Sequence, residues 1–413
     1  STVLCNEIAY SYKLHGSGYF SGSAYAEGLL NSTGAGTGAH DKAFGIAFSA
    51  TATYYGDSAG TTNFAAIRVY ASGASPTTFV PNAAVSTAGA VVNSTASASL
   101  ALGTDWYYRF GFFSSLGQFG AVVTQLFSDS GRTTLASHSL KLRPSAVAYD
   151  YFLPFQGYGY GNALASVSGT NGDITLYRPA AGIDLTTATG GFVQTDPSAH
   201  IADYADCLVC TTLNTNENAY HYKDYGASYF NGNYILTGAL NVTAFATGSG
   251  TMLTLLSLMN AITDGNGSED KHCVILDYVS ASTYTLKARE VSGANGYNSS
   301  ASSTLNTNQP YWLKSWRDTS VGTYGTLYLA IYNDLGMLSQ VGSTLSLALH
   351  DNGTPDVVAF QYFYPLQSWN NGSSRTTTFT FGGITIQSGT PATGYGFSAS
   401  YLVPIGITVG AKE

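Results

Sequence analysis

One segment of the sequence has the residue types and spacing of a cation site. Asp264, Asn266, Ser268 and Asp270 place oxygen-bearing side chains at alternate positions, with glycines between the first three. Ca²⁺ prefers such hard oxygen ligands, and the glycines permit a tight turn. The twelfth position of the segment is Ile275, however, where an EF-hand loop has Glu. Two interpretations remain open: a Ca²⁺ site, and a polar hairpin loop closed by its own Asx turns.

A second pattern combines aromatic rings with amide side chains in glycine-rich segments. Tyr158 and Tyr160 alternate with glycines, and Trp369 precedes Asn370 at the corresponding place in the second half of the chain. Such rings can stack on sugar rings while Asn side chains form hydrogen bonds with the hydroxyl groups. The residues therefore predict a carbohydrate-binding site, with packing against a neighbouring domain or subunit as the alternative.

Patterns typical of catalysis are absent from the sequence. None of the 24 acidic residues forms a pair separated by one residue, the arrangement that points two carboxylates from one face of a strand. The adjacent pair Glu269 and Asp270 would point to opposite faces of a strand. Nucleophile-elbow, metalloprotease and phosphate-binding motifs do not occur either. The sequence thus predicts no catalytic residue and a protein that is not an enzyme.

The four cysteines are Cys5, Cys207, Cys210 and Cys273. Cys207 and Cys210 form a single CxxC pair, so a zinc site would need Cys5 and Cys273 to converge on it. Chance cysteines or one disulfide are the favoured interpretations, and an intermolecular bond through Cys5 is a further one.

Composition restricts the class of partner. Charged residues make up 10% of the chain, the formal net charge is −8, and no basic run occurs, which argues against nucleic acid. No apolar stretch reaches the 18 residues of a membrane span; the nearest, residues 252–262, predicts a buried strand or short helix. Tyr and Gly, with 31 and 47 residues, are abundant instead, as in β-proteins.

An internal repeat sets the organisation of the chain. Residues 6–22 recur at 216–232, with ten of the seventeen positions identical at an offset of 210. Further matches keep their order along both halves while their offsets vary, as expected when insertions fall in surface loops. We therefore predict two tandem domains, at residues 1–200 and 205–413.

Alternating polar and apolar residues, as in residues 283–288 and 377–381, predict many short strands separated by glycine-rich turns. Sustained helical periodicity is lacking. The predicted fold class is all-β, with two tandem antiparallel β-sandwich (jelly-roll) domains. The apolar strand at residues 401–409 is expected to complete its own sandwich, the alternative being addition to a neighbouring sheet edge.

Strand motifs shared by the two halves resemble a known family. The first half has Trp106-Tyr107-Tyr108 and residues 173–176 (Asp-Ile-Thr-Leu); the second has Tyr311-Trp312 and residues 383–386 (Gly-Ile-Thr-Ile). These motifs are similar to those of concanavalin A-like lectin/glucanase (laminin G-like) jelly rolls, of the type found in phage virion and extracellular proteins. The resemblance implies two large sheets with aromatic residues between them. It also implies a Ca²⁺ loop in some members and, in the glucanases, the carboxylate pair that this chain lacks.

These observations predict a non-enzymatic structural or interaction protein, a virion surface component such as a decoration, spike or fibre protein. The alternative is a secreted or cell-surface carbohydrate-binding protein. The expected partners are other protein subunits of an assembly and a glycan, and the expected location is the virion surface or the extracellular space. Removal of a signal peptide and removal of an initiator Met both explain the N-terminal Ser1.

Overall fold

The computed structural model describes most of the chain, in sixteen ranges. These are residues 2–4, 9–35, 43–51, 63–70, 77–87, 90–94, 96–158, 166–179, 182–214, 217–246, 251–262, 270–291, 297–350, 360–368, 375–388 and 402–406. Their regular structure is β-strand, apart from a 3-10 turn at Ser114–Leu116, which confirms the predicted all-β class. Within these ranges, no helix has the length and apolar character to cross a membrane.

The strands follow one another in chain order. Those up to residue 179 are β1 (Thr2–Leu4), β2 (Ala9–Leu14), β3 (Ala24–Ala35), β4 (Ala43–Ser49), β5 (Phe64–Tyr70), β6 (Thr78–Thr87), β7 (Ala90–Asn93), β8 (Leu100–Ala101), β9 (Trp106–Phe113), β10 (Ala121–Phe127), β11 (Leu135–Leu142), β12 (Tyr151–Tyr158) and β13 (Ser166–Pro179). Those that follow are β14 (Val193–Thr195), β15 (Ile201–Tyr204), β16 (Cys207–Asn214), β17 (Tyr220–Asp224), β18 (Tyr234–Phe245), β19 (Thr251–Met259), β20 (Lys271–Tyr278), β21 (Thr283–Val291), β22 (Tyr297–Ser299), β23 (Ser303–Asn306), β24 (Pro310–Asp318), β25 (Thr326–Tyr332), β26 (Leu345–Ala348), β27 (Tyr362–Gln367), β28 (Thr376–Ser388) and β29 (Leu402–Gly406).

The chain divides into two compact units. The first comprises Ser1–Ser114, Phe119–Ala181 and Phe397–Glu413; the second comprises Ser115–Gln118 and Gly182–Gly396. The last strand, β29, belongs to the first unit and pairs with β13. The C-terminal apolar strand therefore adds to a sheet edge of the first unit. The sequence had favoured completion of the second sandwich by this strand, and that prediction was wrong.

The first unit contains two antiparallel sheets. Sheet A has the strand order β1-β13-β3-β9-β10-β11, with β29 also beside β13, and sheet B has the order β2-β12-β4-β5-β6-β7, with β8 beside β6. Apolar side chains of both sheets, such as Phe48, Phe110, Phe112 and Phe152, form one core between them. A β-sandwich results.

The second unit repeats this strand order. Sheet C has the order β14-β17-β27-β19-β20-β21-β22, with β23 beside β21, and sheet D has the order β15-β16-β28-β18-β24-β25-β26. Apart from β14 and β15 at the edges, each strand of sheets C and D has a counterpart at the same place in sheets B and A. The positions of the two units can therefore be compared strand by strand.

The repeated sequence motif lies at matching turns. Gly16 and Gly226 have φ values of 112° and 92°, a left-handed conformation that glycine adopts without steric cost. Each turn leads to a buried phenylalanine, Phe20 or Phe230, which forms a β-bridge and packs in its own core. The motif thus serves folding in both units.

Sheet C also shows why its residues form strands. In β21 the buried residues Tyr284, Leu286, Ala288 and Glu290 alternate with partly exposed ones. Because side chains of a strand point alternately to opposite faces, the first three enter the core and Lys287 and Arg289 project from the other face. This second face of sheet C carries the candidate site.

Candidate functional site

The residues predicted from loops are mostly outside the described ranges. Tyr160, Trp369 and Asn370 are outside them, and Tyr158 is described only as the last residue of strand β12. The carbohydrate site predicted from these four residues stays a prediction.

The predicted Ca²⁺ loop is described only at its end. Asp264, Asn266 and Ser268 lie outside the described ranges, whereas Asp270 precedes β20 and its Oδ2 accepts a hydrogen bond of 2.9 Å from Asn260. In the described part of the chain, no group of three His, Cys, Asp or Glu side chains is arranged to hold a metal ion.

Three of the four cysteines are buried free thiols. Cys207 and Cys210 lie in β16, and Cys273 lies in β20. Burial raises the pKa of Cys207 to about 12 and that of Cys210 well above its usual value, so both stay protonated at neutral pH. The CxxC pair is part of a β-strand; Cys5 lies outside the described residues.

A tyrosine cluster lies on the face of sheet C opposite the core. It consists of Tyr220 and Tyr222 on β17 and Tyr362 and Tyr364 on β27. The rings of Tyr222 and Tyr364 stack with centroids 5.3 Å apart, and Tyr220 and Tyr362 lie 6.0 Å from Tyr364 and Tyr222, respectively. Tyr364 is fully buried, whereas the other three rings are partly exposed. The cluster therefore offers three accessible ring edges or faces around a fixed centre.

Polar side chains continue this face beside the tyrosines. Lys271 on β20 is 3% exposed, and its Nζ donates a hydrogen bond of 3.0 Å to Oε1 of Gln367 on β27. The Thr254 hydroxyl donates a hydrogen bond of 3.4 Å to the backbone carbonyl oxygen of Gln367. Ser257 is fully buried nearby on β19. Burying an ammonium and an amide is costly unless hydrogen bonds compensate, so apolar residues would form this face at lower cost.

A second positive charge lies on the neighbouring strand β21, diagonally opposite Lys271. Arg289 on β21 is partly exposed, pairs in register with Cys273, and donates from Nε to the Ser299 hydroxyl at 3.1 Å. Burial raises the pKa of the Cys273 thiol, and the charges of Lys271 and Arg289 oppose that rise. Both cations therefore lie close to the Cys273 sulfur on one face. We call Ser257, Lys271, Cys273, Arg289, Tyr364 and Gln367 the polar face.

Five of the six positions of the polar face are apolar in the first unit, and the sixth, that of Gln367, has Gln156 there. Strand register places Leu153 opposite Ala47, Ala47 opposite Ala66, and Ala66 opposite Ala84. The first unit thus has Leu153, Ala47, Ala66, Ala84 and Phe64 where the second unit has Tyr364, Ser257, Cys273, Arg289 and Lys271. All five first-unit residues are alanine, leucine or phenylalanine side chains that are at most 2% exposed and pack in one cluster. The polar residues are therefore not a requirement of the sandwich itself.

The polar face combines groups that bind and groups that transfer protons. Aromatic rings and amide side chains suit a polyhydroxylated ligand, and a guanidinium holds an anionic group in a fixed geometry. A phenol and an ammonium, such as those of Tyr364 and Lys271, belong to the side chains that act as general acids and bases. Sequence inspection missed this set because its members lie on four strands, β19, β20, β21 and β27, which only the fold brings together.

Another feature of the second unit is a depression of about 500 Å³ beside β14. Phe192 at its edge stacks on the buried ring of His221, with centroids 4.6 Å apart. Burial lowers the pKa of His221 to about 4, although Asp203 acts in the opposite direction. Asp203 and Asp196 accept backbone hydrogen bonds from Thr187 and from residues 200–201, so these carboxylates close the surrounding loops.

Comparisons with known proteins gave structural neighbours only. No family model and no curated protein matches the chain. The solved structures include an alginate lyase from Alteromonas sp. 272, with 12% identity, 48% of this chain and 95% of that chain covered, and a TM-score of 0.28. A mutant of the GH43 protein BlXynB from Bacillus licheniformis has 9% identity, 87% coverage of both chains and a TM-score of 0.33. An engineered GH43 glycoside hydrolase with endo-xylanase and exo-arabinofuranosidase activity has 9% identity, 79% and 63% coverage, and a TM-score of 0.24.

These neighbours contradict two predictions made from the sequence. They are carbohydrate-active enzymes, whereas we predicted a non-enzymatic virion surface component and a protein that is not an enzyme. The prediction rested on the absence of a carboxylate pair, but Tyr, Lys and His side chains also perform acid–base chemistry, so that absence does not exclude catalysis. The function proposed below relies on the geometry of the second unit alone.

Proposed function

We propose that the chain is a carbohydrate-active protein whose second unit binds a polysaccharide along the polar face and the tyrosine cluster. The observation that carries this proposal is the exchange of apolar for polar residues at five positions of one sheet face, between two units with the same strand order. We also propose that both units are concanavalin A-like jelly rolls, as their strand motifs suggest.

The chemistry of the face supports a sugar ligand. Partly exposed tyrosine rings present flat apolar surfaces on which the C–H face of a sugar ring can lie. Gln367 and Arg289 carry hydrogen-bond donors on the same face of sheet C, and such donors fix the orientation of hydroxyl groups. Sheet strands position these groups more rigidly than loops would.

The burial pattern supports a functional origin of the polar residues. Lys271 and Gln367 are 3% and 0% exposed, and the free energy of burying them is offset only in part by their mutual hydrogen bond. The first unit has Phe64 at the position of Lys271 and Gln156 at the position of Gln367, so the shared strand order does not require the lysine. A binding role explains the presence of the lysine in the second unit only.

Affinity electrophoresis of the full chain in gels containing polygalacturonate, alginate, xylan or dextran tests the proposal. At least one of these polysaccharides should retard the chain, and Tyr222→Ala should weaken that interaction about tenfold because a stacking ring is lost. The matched control is Tyr12→Ala, at the equivalent position of the first unit, which should migrate like the unchanged chain.

Two results would count against the proposal. One is the absence of retardation by all four polysaccharides. The other is equal retardation of the unchanged chain and Tyr222→Ala, with Tyr12→Ala as the variant that weakens binding. Circular dichroism of each variant verifies that the strands are retained.

A further inference from the structure

We propose that β13 and β29 form a strand-exchange joint through which a second copy of this chain docks. The acceptor is an edge of β13 in the first unit, and the donor is the C-terminal strand β29. Within one copy the chain's own strand fills this edge; in an assembly the strand of a neighbouring copy fills it. The joint involves neither the polar face nor the tyrosine cluster, so it is a second binding site on the molecule.

The acceptor edge is the side of β13 that faces away from β3. Residues 175–177 pair with β3 on one side and with residues 404–406 on the other. Strand β1 occupies the same side as β29, but only beside residues 166–168. In the described strands of sheet A, β29 is thus the partner of residues 175–179 on this side. A sheet edge of this kind presents backbone groups that pair with an added strand.

The second unit has the same edge, on β28. Both strands carry a bulge at matching positions, where Asp173 and Gly383 have φ values of 53° and 59°. Strand β16 pairs with β28 as far as Gly382, and just beyond it the Ile183 amide donates a hydrogen bond of 2.8 Å to the Ile384 carbonyl oxygen. Residues that follow β13 in the chain therefore continue the edge of the second unit.

The two segments that lie at these edges are similar in sequence. Residues 182–185 are Gly-Ile-Asp-Leu, and residues 406–409 are Gly-Ile-Thr-Val. Gly406 lies opposite Thr175, and Gly182 approaches the β28 backbone so closely that a Cβ there would be 2.9 Å from its nearest atom. A glycine near the end of a repeat therefore lies beside the acceptor strand in each unit.

Each repeat thus ends in a segment that pairs with a strand of the other repeat. For the end of the second repeat the acceptor is a first unit, and every copy of the chain provides one. Backbone hydrogen bonds at a sheet edge are the same whichever copy supplies the strand. Residues 389–401 link β28 to β29, and an extended link of that length spans at most about 45 Å. The strand can therefore reach a neighbouring copy as well as its own chain.

Pro404 limits the joint to a single added strand. It lies opposite Tyr177 in the register of β13 and β29. Because proline has no amide hydrogen, β29 is suited to the edge of a sheet and not to its interior. A docked strand therefore ends sheet A, and each copy accepts one donor. Donor and acceptor lie at different places on the chain, so docking joins copies head to tail, in a closed ring or an open row.

Engineered thiols on two separate chains test the exchange. Thr175→Cys labels the acceptor strand and Gly406→Cys labels the donor, at positions that pair in register. Paired Cα atoms of antiparallel strands lie within the distance that a disulfide spans. All variants also carry Cys5→Ser, because the three other native thiols are buried. The two full-length chains, one of them with a mass tag, are mixed, equilibrated and treated with oxidised glutathione.

We expect a disulfide-linked heterodimer to form at least about tenfold faster in this mixture than in a mixture of Leu142→Cys with Gly406→Cys. Docking holds the paired thiols at a high effective concentration, which random collision does not. Leu142 is the matched control, since it is 46% exposed at the end of β11, the opposite edge strand of sheet A. A chain with both Thr175→Cys and Gly406→Cys should form linked multimers whose share rises with protein concentration.

Three results would overturn the proposal. A disulfide within the double variant, without heterodimer in the mixture, would keep β29 on its own chain. Equal heterodimer formation in both mixtures would reduce the reaction to random collision. The absence of any disulfide in the double variant would refute the pairing of β29 with β13. None of these results bears on polysaccharide binding, which the affinity gels measure separately.

Discussion

Sheets B and C have the same strand order, yet their faces opposite the core differ in chemistry. Sheet B presents Ala47, Ala66 and Leu153 there, whereas sheet C presents Ser257, Cys273 and Tyr364 at the matching positions. The strand order fixes where a side chain points, but either kind of side chain is compatible with it. A duplicated sandwich can therefore keep one unit for packing and use the other for binding.

The cores of the two units differ in the same direction. In sheet C, His272 faces the core between Leu258 and Glu290, and its Nδ1 lies 2.9 Å from the Tyr234 hydroxyl. Register places Ala65 of β5 at the position of His272. The second unit thus contains buried polar side chains on both faces of one strand, and it depends on hydrogen bonds where the first unit depends on apolar packing.

The largest expected effect is on the stability of the first unit. Ala66→Arg would place a guanidinium in the fully buried apolar cluster of the first unit. In the second unit, Cys273 is the counterpart of Ala66 and has the guanidinium of Arg289 on the neighbouring strand. We expect the free energy of opening strands β4–β6 to fall by more than about 3 kcal/mol, because the charge has no partner there. Hydrogen exchange of these strands measures that free energy separately from the second unit.

The control for this prediction introduces the first unit's residue at the matching position of the second unit. Cys273→Ala in the second unit removes one sulfur atom and should lower stability by only about 1 kcal/mol. If Ala66→Arg were tolerated as well as Cys273→Ala, the apolar character of the first unit's face would not be a packing requirement, and the contrast between the units would lose its meaning.

The next effect is the pH dependence that His221 gives to the stability of the second unit. The pKa of His221 is about 4 in the folded chain, below its usual value of 6.5, so the unfolded chain takes up the proton first as the pH falls. The stability provided by the neutral ring is therefore fully present above pH 6.5 and is lost as the pH falls towards 4. The loss amounts to about 3 kcal/mol, from the linkage between pKa shift and stability. Urea unfolding at a series of pH values measures it.

Substitution of the ring assigns this pH dependence. His221→Phe keeps an aromatic ring against Phe192 and should remove most of the slope between pH 6.5 and 4. His350→Asn serves as the control, since 60% of the His350 side chain is exposed and it should retain the slope. An unchanged slope in His221→Phe would show that another group titrates. The first unit has Ser11 at this position of the repeat, so it lacks the part of the slope that His221 supplies.

Much of the architecture was predictable from the sequence. Alternation in β21 and the recurrence of residues 6–22 at 216–232 indicated strands and a duplication, because side-chain period and repeat order are local properties. The pairing of β29 with β13 was not predictable in this way. An apolar strand forms equivalent backbone hydrogen bonds at any open sheet edge, so its sequence does not specify the partner.

The candidate site was visible in the sequence only in part. Aligning residues 151–156 with 362–367 shows Leu153 facing Tyr364, which is one of the five exchanges. Lys271 and Arg289 escaped notice because their partners are set by strand register, and register depends on insertions and bulges that shift the offset between copies. Searching for loop motifs therefore led to Asp264 and Trp369, and away from the sheet face.

The smallest expected change in stability gives the sharpest test of the polar face. Lys271→Met replaces a buried ammonium by an apolar chain of similar length and removes the 3.0 Å hydrogen bond to Gln367. Loss of the bond costs about 1 kcal/mol, and release from burying the charge offsets it, so the unfolding free energy should change by less than about 1 kcal/mol. Affinity for the polysaccharide that the chain binds should nevertheless fall about tenfold, because Gln367 loses the hydrogen bond that fixes its side-chain amide. Phe64→Met, the matched change in the first unit, should cost at most about 1.5 kcal/mol and leave affinity unchanged. A stability loss above 3 kcal/mol in Lys271→Met would instead make the lysine part of the folding core, as Phe64 is in the first unit.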